Sequence, residues 1–105
     1  MAKKLEFKIR HPGAMLKQTL EELEISQYRF AKISGINPTL LNGICNGKRS
    51  ITPETAIRLG RVFNCSPLSF LRHQEEFDVQ EIQNAKRGTF ERIHPLPAYA
   101  EFAEA

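Results

Sequence analysis

Apolar side chains recur along this chain with two different periods. Over residues 3–10 they alternate, with Leu5, Phe7 and Ile9 on one side and Lys4, Glu6, Lys8 and Arg10 on the other. A period of two reads as a strand or an extended arm with one apolar face. An isolated strand is unstable, so the arm needs a partner: the chain's own tail, a second copy or another protein. After His11-Pro12-Gly13 the spacing changes to helical. Leu16, Leu20 and Leu23 predict a helix over roughly 13–24, and further helices are expected over roughly 27–34, 38–46, 53–63 and from 67 to about 84. Asn37-Pro38, Thr52-Pro53 and Ser66-Pro67 each set a capping side chain before a proline, whose fixed φ and missing N–H suit the first helical position. Three such pairs make an all-α, five-helix reading firmer than propensity alone.

The last of these helices carries two apolar stripes. Leu68, Leu71, Val79 and Ile82 fall within about a quarter turn, whereas Phe70 and Phe77, one heptad apart, fall well off it. One stripe can pack on the domain. The other is left for a partner, and Phe70, His73 and Phe77 are the expected dimer or partner interface. From Lys86 the pattern dissolves: Lys86-Arg87-Gly88 reads as a turn, Thr89 to His94 as a short strand, Pro95-Leu96-Pro97 as extended, and residues 98–105 as loose. The expected organisation is an extended N-terminal arm at 1–10, a helical domain at 11–85 and a C-terminal tail at 86–105.

Residues 26–50 bear most directly on function. Ser26 is placed to cap a short helix, Ala31 supplies a small side chain at its middle, Gly35 sits where the chain must turn, and Asn37-Pro38 opens a second helix tied down by Ile36, Leu41 and Ile44. Two helices joined by a short glycine-containing turn form the helix-turn-helix, whose second helix enters the DNA major groove. Its N-terminal part meets base edges; here that part is Asn37, Pro38, Thr39, Leu40 and Asn42. Thr39 can hydrogen-bond a base or pack its methyl on thymine, and Asn42 suits the N6/N7 edge of adenine or a phosphate. Gln27 sits beside the groove, able to hold a phosphate or brace a base-reading side chain. Tyr28 and Arg29 are outer-face candidates on the preceding helix. Asn46, Lys48 and Arg49 belong to a polar, basic loop of the kind that neutralises phosphates and sets register. Gly43 lies inside the second helix, where glycine costs about 1 kcal/mol relative to alanine, so either a neighbour packs closely there or the DNA backbone approaches.

Charge sharpens this picture. The net charge is +3, but residues 1–61 carry 11 Lys/Arg against 5 Asp/Glu and residues 62–105 carry 4 against 7. A basic front and an acidic back suit two different partners. Cys45 and Cys65 have no further cysteine or histidine at metal-ligand spacing, so both are expected to be small buried hydrophobes in a reducing cytoplasm. There is no transmembrane-length apolar run and no signal-peptide core. No HExxH, phosphate-cradling glycine loop or nucleophile elbow is present, so the reading includes no catalytic residue, metal or cofactor.

The motifs together resemble a known family. His11-Pro12-Gly13, Ser26-Gln27-Tyr28-Arg29 with Ala31-Lys32, Pro38-Thr39, Asn42, Gly47-Lys48-Arg49-Ser50-Ile51-Thr52, Thr55-Ala56, Arg58-Leu59 and Ser66-Pro67 are similar to the HigA-type antitoxins of bacterial toxin–antitoxin addiction modules. These are lambda-repressor-like helix-turn-helix proteins of the XRE type. The resemblance runs from His11 to about Gln74; Ala14, Leu40, Gly43, Ser69 and His73 depart from the family's usual residue types. It implies a homodimer that binds a double-stranded DNA operator, represses its own operon and neutralises a small basic toxin, typically a ribonuclease that cleaves mRNA. A stand-alone repressor of phage or plasmid type, with no toxin, shares every DNA-binding feature and differs only in lacking the second protein partner.

Overall fold

Five capping side chains set where the helices begin. The computed structural model describes residues 8–102, and among these the secondary structure is entirely helical. Helix α1 spans Pro12–Glu22, α2 Gln27–Ser34, α3 Pro38–Cys45, α4 Pro53–Phe63, α5 Pro67–Ala85 and a short α6 Arg87–Phe90, followed by a 3-10 segment at Pro97–Phe102. Ser26, Asn37, Thr52 and Ser66 each accept a backbone N–H of the first turn that follows. His11 makes a fourth cap-proline pair: its Nδ1 accepts the Gly13 N–H at 2.9 Å ahead of Pro12. The stops are equally local. Gly35 and Asn64 close α2 and α4 in the left-handed conformation, at φ 72° and 53°.

Helix α1 ends two residues earlier than its apolar spacing predicts. Glu24 takes φ 57° and the Ile25 N–H reaches back to the Leu20 carbonyl at 2.9 Å. That closure points Ile25 at the core and leaves Leu23 53% exposed, so Leu23 is not part of the inward stripe.

The core gathers Leu16 and Leu20 of α1, Phe30 and Ala31 of α2, Leu41, Ile44 and Cys45 of α3, Ala56 and Leu59 of α4, and the linker residues Ile36 and Ile51. Phe30, Leu41, Ile44 and Leu59 are almost completely enclosed, and burying each such side chain contributes about 1.5–3 kcal/mol. Helix α3 is thus clamped from behind by α1 and α2. The clamp is tight because Gly13 has no side chain: a Cβ there would collide with the Ile44 carbonyl.

Helix α5 packs on α4 and α1 with the face that carries the phenylalanines. Phe70 lies 6.2 Å from Phe63, itself stacked on Phe30 at 5.7 Å, and Phe77 meets the His11 ring edge-on at 5.0 Å. The expectation of an uncovered Phe70–Phe77 stripe therefore needs correction. These rings and Leu71 are half-buried, while Leu68, Val79 and Ile82 stand in solvent. Gln74, buried on the same face, accepts the Ile51 N–H and donates to Asp78, both at 2.9 Å, and so fixes α5 to the linker before α4.

The ends also differ from expectation. Thr89 to His94 is not a strand: Thr89 and Phe90 N–H groups bond the Lys86 carbonyl, and Glu91 bonds Arg87. With no strand among the described residues to pair with, the backbone satisfies itself locally. Cys45 is buried, but Cys65 is exposed in the α4–α5 linker. Leu5 and Phe7 lie outside the described residues. Ile9 is half-buried beside α5, its N–H bonded to Gln80 Oε1 at 2.9 Å, and His73 Nε2 donates to the Arg10 carbonyl at 2.8 Å.

Candidate nucleic-acid interface

The outer face of α3 combines short polar side chains with a rigid base. Leu41 and Ile44 fix its rear, which leaves Thr39 and Asn42 exposed on its front. Asn37 Oδ1 is occupied by the Thr39 and Leu40 N–H groups at 2.9 and 3.2 Å. Its role is therefore to set the direction of α3, with only the amide nitrogen free of that cap. Pro38 is exposed at the first helical position. Leu40 is half-buried against the core, so only part of it faces outward.

A ladder of amides links the two helices of the motif. Asn42 Nδ2 donates to Gln27 Oε1 at 3.3 Å, and Asn46 Nδ2 donates to Asn42 Oδ1 at 3.1 Å. Gln27, at the start of α2, therefore braces Asn42, while each amide keeps further donor or acceptor capacity for a ligand. An amide held from both sides loses less rotamer freedom when it binds, which favours discrimination. Tyr28 and Arg29 are exposed on α2, and Lys32 Nζ sits 4.5 Å from the centre of the Tyr28 ring.

The loop after α3 is anchored through its backbone. Lys48 and Arg49 N–H groups both bond the Gly43 carbonyl, at 2.8 and 3.1 Å, while Gly47 turns with φ 73°. The Lys48 and Arg49 side chains are exposed, and among the described residues the ion pair is Arg58–Glu54, so neither basic group pairs with a carboxylate of those residues. Of the two explanations for a glycine at position 43, the structure supports the close neighbour: a Cβ would run into the Arg49 Cγ. The missing side chain lets Arg49 lie along the recognition helix.

Two residues that the sequence did not mark for this surface also contribute to it. His11 caps α1, underlies Gly47 at about 4 Å from the position of a Cβ there, and meets Phe77. It joins the basic loop to α5. Burial pushes its pKa below the ordinary 6.5, opposed by the Asp78 carboxylate, while the nearby His73 lowers it and the Arg49 backbone raises it. Lys17 lines a polar groove with Arg10, Gln18, Glu21, Cys45 and Asn46, which brings a further cation, with the Glu21 carboxylate in the same groove, to the end of α3. Burial raises the Cys45 thiol pKa, with Lys17 opposing. The His-Pro-Gly opening marks the start of α1 but not the contacts His11 makes; nothing in the sequence near Lys17 could place it, because the approach of α1 to α3 depends on the Gly13 contact.

The three interface candidates sit elsewhere. Phe70 and His73 reach the surface in a cleft of about 190 Å³ with Pro12, Met15 and Phe63, and Phe77 is covered by His11. No helix among the described residues is long and apolar enough to cross a membrane.

Known proteins share this arrangement. The helix-turn-helix family model matches residues 16–70. Virulence-associated protein I of Dichelobacter nodosus is 32% identical over 104 residues, 98% of this chain and 95% of that protein. An addiction-module antidote protein of the HigA family from Coxiella burnetii superimposes with a TM-score of 0.81 at 30% identity, over 86% of this chain and all of that one. The antitoxin HigA of Pseudomonas aeruginosa, solved with the higBA promoter, gives a TM-score of 0.78 at 30% identity, over 84% and 98%.

Proposed function

Since this chain belongs to the helix-turn-helix family, in its HigA-type branch, we propose that it is a cytoplasmic, sequence-specific DNA-binding antitoxin that represses its own operon as a dimer and neutralises a small basic, mRNA-cleaving toxin. The observation that carries the DNA-binding part is the outer face of α3. Thr39 and a braced Asn42 face outward beside two exposed cations, Lys48 and Arg49, whose backbone is tied to the same helix. Such a surface supplies base-edge contacts and phosphate contacts in one rigid unit. Dimers of this kind span half-sites about 34 Å apart. The acidic second half of the chain supports a basic protein partner. The similarity to an antidote protein and to an antitoxin solved with its promoter supports the operon context.

The test has two arms. Fluorescence anisotropy with the DNA upstream of the protein's own reading frame, against scrambled DNA, measures specificity. Thr39→Ala and Asn42→Ala are each expected to lose about 1–3 kcal/mol of discrimination; equal losses on both DNAs would reduce them to positioning residues. Co-expression with the adjacent reading frame then tests neutralisation. Growth arrest by that frame alone, with mRNA cleavage, and its relief by this protein are expected. Specific DNA binding with no toxic neighbour would leave a stand-alone repressor.

A further inference from the structure

Helix α3 carries no charged side chain of its own, yet a cation lies along its outer face. Leu41, Ile44 and Cys45 point to the core, and Thr39, Asn42, Gly43 and Asn46 share the opposite arc. Gly43 sits within that arc, about 40° from Thr39 and about 60° from Asn46 at 100° per residue. Position 43 is bare, and the stem of Arg49 takes the space. A Cβ there would run into the Arg49 Cγ, with the Arg49 Cβ and Cδ at 3.4 and 3.6 Å. The backbone holds the stem in place. Lys48 and Arg49 N–H groups share the Gly43 carbonyl at 2.8 and 3.1 Å, and Gly47 turns the chain back with φ 73°. Beneath that turn lies the His11 ring, about 4 Å from where a Gly47 Cβ would sit. Among the described residues the ion pair is Arg58–Glu54, so the Arg49 guanidinium pairs with none of their carboxylates.

We infer that Arg49 is a specificity-determining residue: it reaches across the bare position 43 to read a guanine in the major groove, and Lys48 alone of the pair serves the phosphates. Guanine presents its O6 and N7 acceptors side by side, and the planar fork of an arginine meets both at once. No residue of α3 can do the same. The amides of Asn42 and Asn46 suit adenine, and Thr39 offers a single hydroxyl and a methyl. A phosphate contact needs only a donor at the rim of the groove. Arg49 is placed otherwise, because its stem lies between Thr39 and Asn46 on the arc that enters the groove. A stem already packed also has less rotamer freedom to lose on binding, which favours discrimination. Lys48 is exposed in the same loop and does not occupy a glycine's place on α3. The inference deepens the DNA-binding reading and rests on it.

Selection of binding sites by the full chain from a library of random duplex DNA, followed by anisotropy on the selected site, tests it. Wild type is expected to require a guanine at a fixed position of that site. Arg49→Ala and Arg49→Lys should both lose that preference by about tenfold or more and keep the preferences at other positions, because lysine retains the charge without the fork. Gly43→Ala should weaken the same preference, since its Cβ takes the place of the stem. Substituting 7-deazaguanine, which lacks the N7 acceptor, should weaken wild-type binding by roughly fivefold or more and leave Arg49→Ala unaffected. Arg49 is on the surface, so circular dichroism of its variants should be unchanged. Two results would make Arg49 a phosphate anchor and overturn the inference while the DNA-binding reading stands. One is an Arg49→Lys variant that selects the same site as wild type. The other is an Arg49→Ala variant that loses affinity evenly on all sequences, with the salt slope flattened by about one unit. A wild type that selects no sequence would overturn both the inference and the reading beneath it.

Discussion

The glycines at positions 13, 43 and 60, inside α1, α3 and α4, invite the same substitution and are expected to answer it differently. Alanine in place of glycine gains about 1 kcal/mol of intrinsic helix propensity. At Gly13 that gain is overwhelmed, because the new Cβ would occupy the place of the Ile44 carbonyl and both sides of the contact are backbone. Overpacking costs about 1–3 kcal/mol and occasionally more; two helices with no flexible atom to yield belong at the upper end. A domain of this size loses about 4–8 °C of melting temperature per kcal/mol, so Gly13→Ala should lower the midpoint by roughly 10 °C or more. At Gly43 the obstacle is the Arg49 side chain, which can swing away, so Gly43→Ala should leave stability within about 1 kcal/mol of wild type. Its cost should instead appear in operator affinity, because Arg49 no longer lies along α3. Gly60 lies between, with the Cys65 carbonyl 2.7 Å from where a Cβ would sit. The assay is calorimetric melting beside anisotropy titration on operator DNA. Equal melting shifts for Gly13→Ala and Gly43→Ala would refute the claim that close backbone approach of α1 sets the position of the recognition helix.

Replacing Lys48 and Arg49 together by alanine should weaken binding to all DNA sequences and flatten the slope of log affinity against log salt by about one unit for each phosphate no longer neutralised; an unchanged slope would exclude phosphate binding by both. Asn37→Ala removes the acceptor for two N–H groups of α3 and should cost about 1 kcal/mol in denaturant unfolding, with a midpoint unchanged from wild type counting against the cap. The depressed pKa of His11 means that the unfolded chain binds more protons than the folded one between the folded value and the ordinary 6.5, so its contribution is fully present above 6.5 and is lost as pH falls through the folded value. His11→Asn, which keeps a capping oxygen but does not titrate, should therefore flatten the loss of stability between neutral and mildly acidic pH; an unaltered pH profile would show that His11 carries none of it.

Most of the fold was legible because its instructions are local. A cap and a proline within two residues start α3, α4 and α5, and Gly35 ends α2, so the chain announces its helices without reference to anything distant. Where the sequence misled, the deciding interaction was not local or not of a usual residue type. Histidine is an uncommon cap, so His11-Pro12-Gly13 marks the start of α1 without revealing that the His11 ring caps it. Leu23 fits the helical period as well as Leu20 does, and only the turn at Glu24 removes it from the core. Residues 89–94 read as a short strand, but a strand needs a neighbour, and with none among the described residues the chain coils into α6 and the turn after it.

The candidate site shows the same division at finer scale. That Thr39, Asn42, Lys48 and Arg49 share one surface follows from helical spacing and from a loop too short to carry the cations elsewhere. Which side chains brace which does not follow: Gln27 and Asn42 are fifteen residues apart and meet only because Leu41 and Ile44 seat α3 against α2 at one depth. The assignment of stripes on α5 reversed for a related reason. Periodicity reports that two apolar faces exist, but volume decides which is buried. The space between α4 and α1 is already bounded by Phe63 and His11, and flat rings at positions 70 and 77 fill it against those partners better than the slimmer Val79 and Ile82 would. The aliphatic stripe of Leu68, Val79 and Ile82 is what remains exposed. The domain's own packing thus decides which face of α5 stays in solvent.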